Sequence, residues 1–377
     1  MTPTPDRIRA LAGELGFEIV RFGPAHPGEH GQRFLEWVEA GRHGSMDFLA
    51  QNRDRIVDPQ AWRKGVQSAV AMAHDYGGPP VELPGGGRVA RYAGGRDYHR
   101  WIGNKVLRLR QLLEREGMPH GSSIGGTDAV PVLERAIAVR AGIGFLAKSA
   151  MVISPERGPY LLLSELLTGM ELPHDGPAAG SCGTCTACID ACPTQAITAP
   201  HQVDARRCLS HATIEHRGFS EPWLRAAQGE WVFGCDVCLE VCPFTRKSPM
   251  LALHHELRPP DLRPHRLVQQ WTLVDVLALD ETRYEAEWTG TPMRRATCSG
   301  LRRNAAVVLG NRRDPEALPA LATALTDADP VVRGHAAWAI GRIDARRPEL
   351  DRAASNETDP RVMHELERAR SGAAAAD

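Results

Sequence analysis

Cys182-Gly183-Thr184-Cys185-Thr186-Ala187-Cys188-Ile189-Asp190-Ala191-Cys192-Pro193 is followed, after a lone Cys208, by Cys235-Asp236-Val237-Cys238-Leu239-Glu240-Val241-Cys242-Pro243. These two runs hold eight of the nine cysteines, and their spacing implies a pair of [4Fe–4S] clusters. In a C-x2-C-x2-C-x3-C-P run three thiolates cap one cubane, while the cysteine before the proline serves the neighbouring cluster. Cys182, Cys185, Cys188 and Cys242 are thereby expected on one cluster, and Cys208, Cys235, Cys238 and Cys192 on the other. Cys208 departs from the simplest repeat because a long insertion separates it from Cys235. Zinc is the competing reading of C-x2-C pairs. The three-cysteine run and the Cys-Pro after both runs favour cubanes. Cys298 stands apart and reads as a lone thiol.

Outward from this module the chain divides into three. Residues 1–175 alternate helical and strand-like stretches punctuated by glycine and proline, the pattern of an α/β domain with a central sheet whose ligands sit beyond strand ends. No GxGxxG joins a strand to a helix, so nucleotide binding has little support. Residues 176–255 form the ferredoxin-like two-cluster module. Residues 256–377 turn helical and carry an internal repeat, in which Arg302-Arg303-Asn304-Ala305-Ala306-Val307-Val308-Leu309-Gly310 aligns with Arg333-Gly334-His335-Ala336-Ala337-Trp338-Ala339-Ile340-Gly341. Such a period suits a helical-hairpin solenoid, and two units are too few to stand alone.

With 42% hydrophobic residues and no uninterrupted apolar run long enough to span a bilayer, no membrane partner is expected. Residues 1–15 read as an amphipathic helix instead of an export signal, and reduced thiols fit the cytoplasm. The formal net charge of −1 supplies no global attraction for nucleic acid. One local patch does: Arg294, Arg295, Arg302, Arg303, Arg312 and Arg313 occur with no acid among them. Arg302, Arg303, Asn304 and Arg333, at the repeat starts, are the candidate phosphate grips. A solvated outer helix face is the alternative.

A two-cluster module is a wire, and its electrons must be used elsewhere, in the N-terminal domain. The densest candidate is the segment carrying Thr127, Asp128, Glu134 and Arg135, followed by Ala141 to Lys148. A sheltered Asp128 could donate a proton as electrons arrive. The residues alone favour a plainer role, with Asp128 capping the helix that Pro131 opens and Glu134 and Arg135 in solvent.

Arg91-Tyr92-Ala93, Asp97-Tyr98-His99, Pro131-Val132-Leu133-Glu134-Arg135, Ala141-Gly142-Ile143-Gly144-Phe145, the cysteine runs and the terminal HEAT-like repeat together resemble the epoxyqueuosine reductases, in order over nearly the whole chain. The resemblance implies reduction of the epoxide of epoxyqueuosine in tRNA to the alkene of queuosine, the last step of queuosine biosynthesis. It implies a base-off cobalamin brought to Co(I) by the two clusters, with Asp128 as proton donor. Arg135, Arg91, Lys148, Val152, Leu163, Ser210 and Asp236 match positions near the corrinoid, and Arg217 one facing the RNA. The implied partners are a tRNA anticodon stem-loop and an external electron donor, with the protein a monomer. No Asp-x-His-x-x-Gly motif occurs, so no protein histidine is expected on cobalt. The cysteine module also resembles reductive dehalogenases, which makes a corrinoid dehalogenase one alternative and a non-enzymatic iron–sulfur carrier another.

Overall fold

The computed structural model describes residues 2–128, 130–253 and 255–375. Ala129, beside Asp128, and His254 lie outside them. The chain packs into two compact units, each assembled from three stretches. The blocks expected at 1–175, 176–255 and 256–377 follow chain order, whereas compactness follows contacts between distant stretches.

The first unit comprises Met1–Pro79, Asp97–Ala205 and Val237–Leu262. Its centre is an antiparallel sheet of β1 (Ile19–Pro24), β2 (Ser68–Asp75), β3 (Ser123–Gly126) and β4 (Leu161–Thr168), in the order β1-β2-β4-β3. Every residue of β2 is buried, as expected of a strand covered on both faces, where small residues such as Ala69, Ala71 and Ala73 let other elements approach. Helix α1 (Pro5–Glu14) begins at an N-cap, Thr4, whose hydroxyl accepts from the Arg7 amide. Asp97 caps α2 (Tyr98–Arg115) in the same way through the His99 amide. Helix α3 (Glu134–Ala141) stops at Gly142, whose φ of +91° suits a left-handed terminus. It lies so close to β1 that a Cβ on Gly23 would come within 2.6 Å of the Ala141 Cα.

The second unit comprises Pro80–Arg96, Arg206–Asp236 and Arg263–Asp377. The short strand Trp231–Phe233 runs parallel to Arg88–Val89, which pairs with Val81–Glu82. Around them pack α4 (Thr297–Arg312), α5 (Pro330–Asp344) and α6 (Pro360–Arg370), sharing one apolar core that includes Val232, Phe233, Val307 and Trp338. The repeat has a steric basis. A Cβ on Gly310 of α4 would meet Trp338 Cζ3 at 2.7 Å and the Ala339 Cα at 2.8 Å on α5; a Cβ on the equivalent Gly341 would meet the Ala369 Cα of α6 at 2.7 Å. Each helix thus settles on the next through the same repeat position. Trp338 is fully buried, which makes it core. No helix among the described residues is long and apolar enough to cross a membrane.

Candidate active site

In the first unit, the helical turns Ala187–Asp190 and Val237–Glu240 carry Cys188 and Cys238 and place Cys182 and Cys242 against Phe145, Ala147, Ile153 and Phe244. All eight module cysteines are free thiols of intermediate exposure. Burial first, then the charges of neighbouring thiols, pushes the Cys188 and Cys242 thiols up; for Cys242 those neighbours are Cys182, Cys188 and Cys185. The first expected ligand set is therefore gathered in one place. Lys148 fastens it: its amide donates to Cys182 Sγ at 3.5 Å, and its ammonium donates to the carbonyls of Gly183 and Cys185, each at 2.9 Å. The Ala196 amide likewise donates to Cys192 Sγ at 3.2 Å. Half-buried thiols receiving N–H···S hydrogen bonds fit a cluster, because such bonds stabilise thiolate charge. No group of three or more His, Cys, Asp or Glu among the described residues is placed to hold a single metal ion. A cubane makes a different demand, since its thiolates sit on separate irons at separate corners. Of the second set, Cys192 and Cys238 belong to the first unit, and Cys208 and Cys235 to the second.

Beyond the end of β3, the buried Thr127 donates its hydroxyl to the Leu163 carbonyl at 2.6 Å, which fixes the turn that presents Asp128. Asp128 has a φ of +50° and an exposed side chain. Left-handed backbone at a non-glycine residue is uncommon and costs free energy unless its surroundings hold it. Here the Asp128 amide donates to Glu134 Oε1 at 2.5 Å, and the Tyr98 hydroxyl donates to the Asp128 carboxylate. His99 Nε2 lies 3.9 Å from Asp128 Oδ2, while its Nδ1 is 2.8 Å from Asp97. Burial alone would raise the Asp97 carboxyl, but the hydrogen bonds and charge of His99, with Arg100, outweigh it and hold the group below its usual range.

The capping role that the residues favoured for Asp128 is overturned. Helix α3 starts only at Glu134, after Leu133 with no side-chain cap. Glu134 is not a solvated surface acid either. It is half-buried and feels the charge of Glu165, which sits in β4 at 2% exposure. Burial first, then repulsion from Glu165 and Asp128, pushes Glu134 well above the usual carboxylate range; burial, then Asp128, does the same to Glu165. Arg135 is exposed and donates to the Ala150 carbonyl at 3.2 Å. Val152 is fully buried in the apolar core, and Leu163 is half-buried against it.

In the second unit, Arg91 and Asp236 are brought together as a nearly buried pair. The Arg91 amide donates to Asp236 Oδ2 at 2.8 Å, and its guanidinium reaches the same oxygen at 3.3 Å. Ser210, on the helix Leu209–Ile214, is half-buried. The arginines expected to grip phosphate stand differently. Arg303 and Asn304 are buried, at 1% and 0% exposure. Arg303 donates to the carbonyls of Ala212, His216 and Gly218, and Asn304 to those of Thr213 and Val232. Their expected role in gripping RNA is corrected: a long polar side chain with all its donors on internal carbonyls braces the unit and has none left for phosphate. Arg302 pairs with Asp327, and Arg333 with Glu357 at 2.7 Å, the same repeat position meeting an acid in both copies. Arg217 is exposed and donates to the carbonyls of Ile214 and Arg295.

Sequence reasoning passed over Glu165. Its signal was a lone acid in the leucine-rich Leu161–Thr168. Tyr98 and His99 were marked only as part of a pattern. Cys298, the lone thiol, is a core residue of the second unit at 2% exposure, and burial pushes its thiol up to about 12.

Comparison with known proteins joins these observations. Residues 57–125 match the family described as "Epoxyqueuosine reductase QueG, DUF1730", residues 181–245 a "4Fe-4S double cluster binding domain", and residues 293–369 "HEAT repeats". The epoxyqueuosine reductase of Xanthomonas campestris pv. campestris is 37% identical over 349 residues, covering 90% of this chain and 96% of that protein. The chain belongs to the epoxyqueuosine reductase family. It is accordingly an oxidoreductase with a double iron–sulfur segment. A crystal structure of an epoxyqueuosine reductase with an epoxyqueuosine-modified tRNA-Tyr stem loop superposes with a TM-score of 0.86 at 29% identity, covering 99% of this chain and 98% of that one. An epoxyqueuosine reductase from Bacillus subtilis, described with an aspartate-bearing catalytic loop swung out of the active site, gives 0.84 at 29% identity, covering 97% and 98%.

Proposed function

We propose that this chain reduces the epoxide of epoxyqueuosine, carried in a tRNA anticodon stem-loop, to the alkene of queuosine, with two [4Fe–4S] clusters, a base-off cobalamin and Asp128 as proton donor. The clusters would be held by Cys182, Cys185, Cys188 and Cys242, and by Cys208, Cys235, Cys238 and Cys192. The observation that carries the reading is Asp128, held in left-handed backbone with its carboxyl meeting the Tyr98 hydroxyl, its amide on the half-buried Glu134, and the buried Glu165 on the neighbouring strand. Family membership supports the substrate, and the stem-loop bound to a solved relative supports the RNA partner.

A corrinoid is apolar on its face and fringed with amides. Ile124, Val130 and Leu163, half-buried beside the Thr127–Asp128 turn, offer apolar surface of that kind, and Tyr98, His99 and Lys148 offer polar groups. Cobalamin fits these residues in kind. When bound, it supplies the strongly reducing metal centre, refilled one electron at a time through the clusters.

The chain's own residues then do the following. Lys148 holds the Cys182–Cys185 loop in register through its hydrogen bonds to two carbonyls. Tyr98 and His99 orient the Asp128 carboxyl. Protonated Asp128 gives its proton to the epoxide oxygen as the C–O bond opens, so that no free alkoxide has to form in a poorly solvated site, where unpaired charge is costly. Arg217, exposed beside Arg295, is the proposed phosphate-binding group, since Arg295 itself holds the Glu215 carboxylate at 2.8 Å.

The test is anaerobic reconstitution with iron, sulfide and cobalamin, followed by nucleoside analysis of stem-loop RNA carrying the epoxide. Formation of queuosine is the expected result. Zinc in place of iron, or iron–sulfur protein that takes up no corrinoid and leaves the epoxide intact, refutes it.

A further inference from the structure

We infer that the buried Glu165 and the half-buried Glu134 form a proton store that recharges Asp128 from within the protein. This inference rests on the reading of Asp128 as proton donor. Removing an epoxide oxygen takes two electrons and two protons: one C–O bond opens as its oxygen gains a proton, the second breaks as the resulting hydroxyl gains another, and alkene and water leave. The electrons come from the external donor through the clusters. Asp128 carries one proton at a time. Its side chain is exposed in the free protein, but a substrate seated over it covers that route to water.

The geometry supplies an inner route. Glu134 Oε1 accepts from the Asp128 amide at 2.5 Å, so the two acids are held in register by the backbone itself. Behind them lies Glu165, at 2% exposure, whose Oε1 has no hydrogen-bond partner among the described residues. An unpaired buried carboxylate is expensive, whereas a protonated carboxyl is much less so. The neighbours do not relieve that cost with positive charge. Across the sheet Glu165 stands opposite Ala71 of β2 and Gly126 of β3. The charges acting on Glu134 are those of Glu165 and Asp128, and the charge acting on Glu165 is that of Asp128. Among the described residues no ion pair joins either acid to Arg21 beside β2, to Arg135 or Arg140 on α3, or to Lys105 on α2. His74 and Asp75 lie further along β2, and His99, 3.9 Å from the Asp128 carboxyl, is paired with Asp97. A fold that needed only packing at position 165 would be better served by leucine, the residue at five other positions of the same strand. The placement instead gives two acids whose carboxyls burial and mutual repulsion push well above the usual range, one of them hydrogen-bonded to the residue that spends a proton.

The experiment uses the reconstituted holoenzyme and an epoxyqueuosine stem-loop in single turnover, comparing wild type with Glu165→Gln, Glu134→Gln and Asp128→Asn. Glutamine keeps size and neutrality but cannot release a proton. Each Glu→Gln variant should slow turnover roughly 100-fold, the lower end for a general acid. The wild type's loss of rate at high pH should disappear from the profile, the solvent deuterium isotope effect should grow, and KM should stay unchanged. Infrared difference spectra of the wild type should show a protonated-carboxyl band near neutral pH that Glu165→Gln removes. Wild-type rate, pH profile and isotope effect in both Glu variants overturn the relay, as does absence of the band, which needs no variant to fold. An active Asp128→Asn sinks the donor reading instead, so the two failures are separable.

Discussion

Removing the Arg303 guanidinium should unfold the second unit more readily and leave the number of RNA phosphates neutralised unchanged. The side chain is 1% exposed and donates at 2.6 Å to the Ala212 carbonyl, 2.9 Å to His216 and 3.2 Å to Gly218, while Nε and Nη2 also donate to Asn304 Oδ1. Burial, helped by Arg217 and Arg225, pushes it down to about 10, so it stays charged at neutral pH. In Arg303→Ala three carbonyls are left without their donor, at about 1–3 kcal/mol for each that stays buried and unpaired. Water entering the void and the vanished cost of burying a charge offset part of this, leaving a net loss of about 3–5 kcal/mol. For a unit of this size that lowers Tm by roughly 6–20 °C. Arg302→Ala, which breaks a half-buried pair with Asp327 and one hydrogen bond to the Leu277 carbonyl, should cost less, about 1–2 kcal/mol.

The assay pairs circular-dichroism melts with stem-loop titrations over a series of salt concentrations. Each phosphate of single-stranded RNA that the protein ceases to neutralise makes the slope of log K against log salt shallower by about 0.7. Arg303→Ala should melt early and, at a temperature where it is folded, keep the wild-type slope. A variant as stable as wild type with a slope shallower by about 0.7 would refute the reasoning and return Arg303 to the RNA surface.

Asp128→Asn should retain iron, sulfide and corrinoid yet lower single-turnover reduction by about 100- to 10,000-fold, the range for a missing general acid, and unchanged turnover excludes the donor role. The acid pair also predicts a stability profile. Glu134 and Glu165 have folded pKa values raised above the unfolded value of about 4.3, so above that pH the native state holds more protons than the unfolded chain. Their contribution is therefore fully present at low pH and is lost as pH rises through the raised folded values. Glu165→Gln removes that loss, so its Tm should match wild type in acid and exceed it in mild alkali; an identical pH dependence of the two Tm values contradicts the shifts.

The cysteine runs and the helical repeat were legible because both write their geometry into spacing. Thiolates on one cubane must come from a short loop, and helices that stack must repeat their close-packing residue, as Gly310 and Gly341 do. The arginines were misread because spacing records which face of a helix a residue occupies and not what meets that face. Asp327 and Glu357, which neutralise Arg302 and Arg333, lie in the loops 25 and 24 residues further on, and the carbonyls that take up Arg303 come from 212–218, some 90 residues earlier. The same blindness hid Glu165. Its partner acids, Asp128 and Glu134, are in a different part of the chain, and only the pairing of β3 with β4 brings them together.

Burial alone does not tell structure from chemistry; satisfaction does. Arg303, buried and charged, has carbonyls for its donors, and Arg225, equally buried, has Glu365, with guanidinium-to-carboxylate distances of 2.5 and 2.7 Å. Such groups brace a fold, because their cost is offset where they stand. Glu165 is buried to the same degree without a cation and with an oxygen that nothing meets, beside a residue held in left-handed backbone. An acid of that kind costs the fold stability where it stands. A reaction consuming two protons per turnover would use it, and that ties the least comfortable residue of the sheet to the chemistry at its edge.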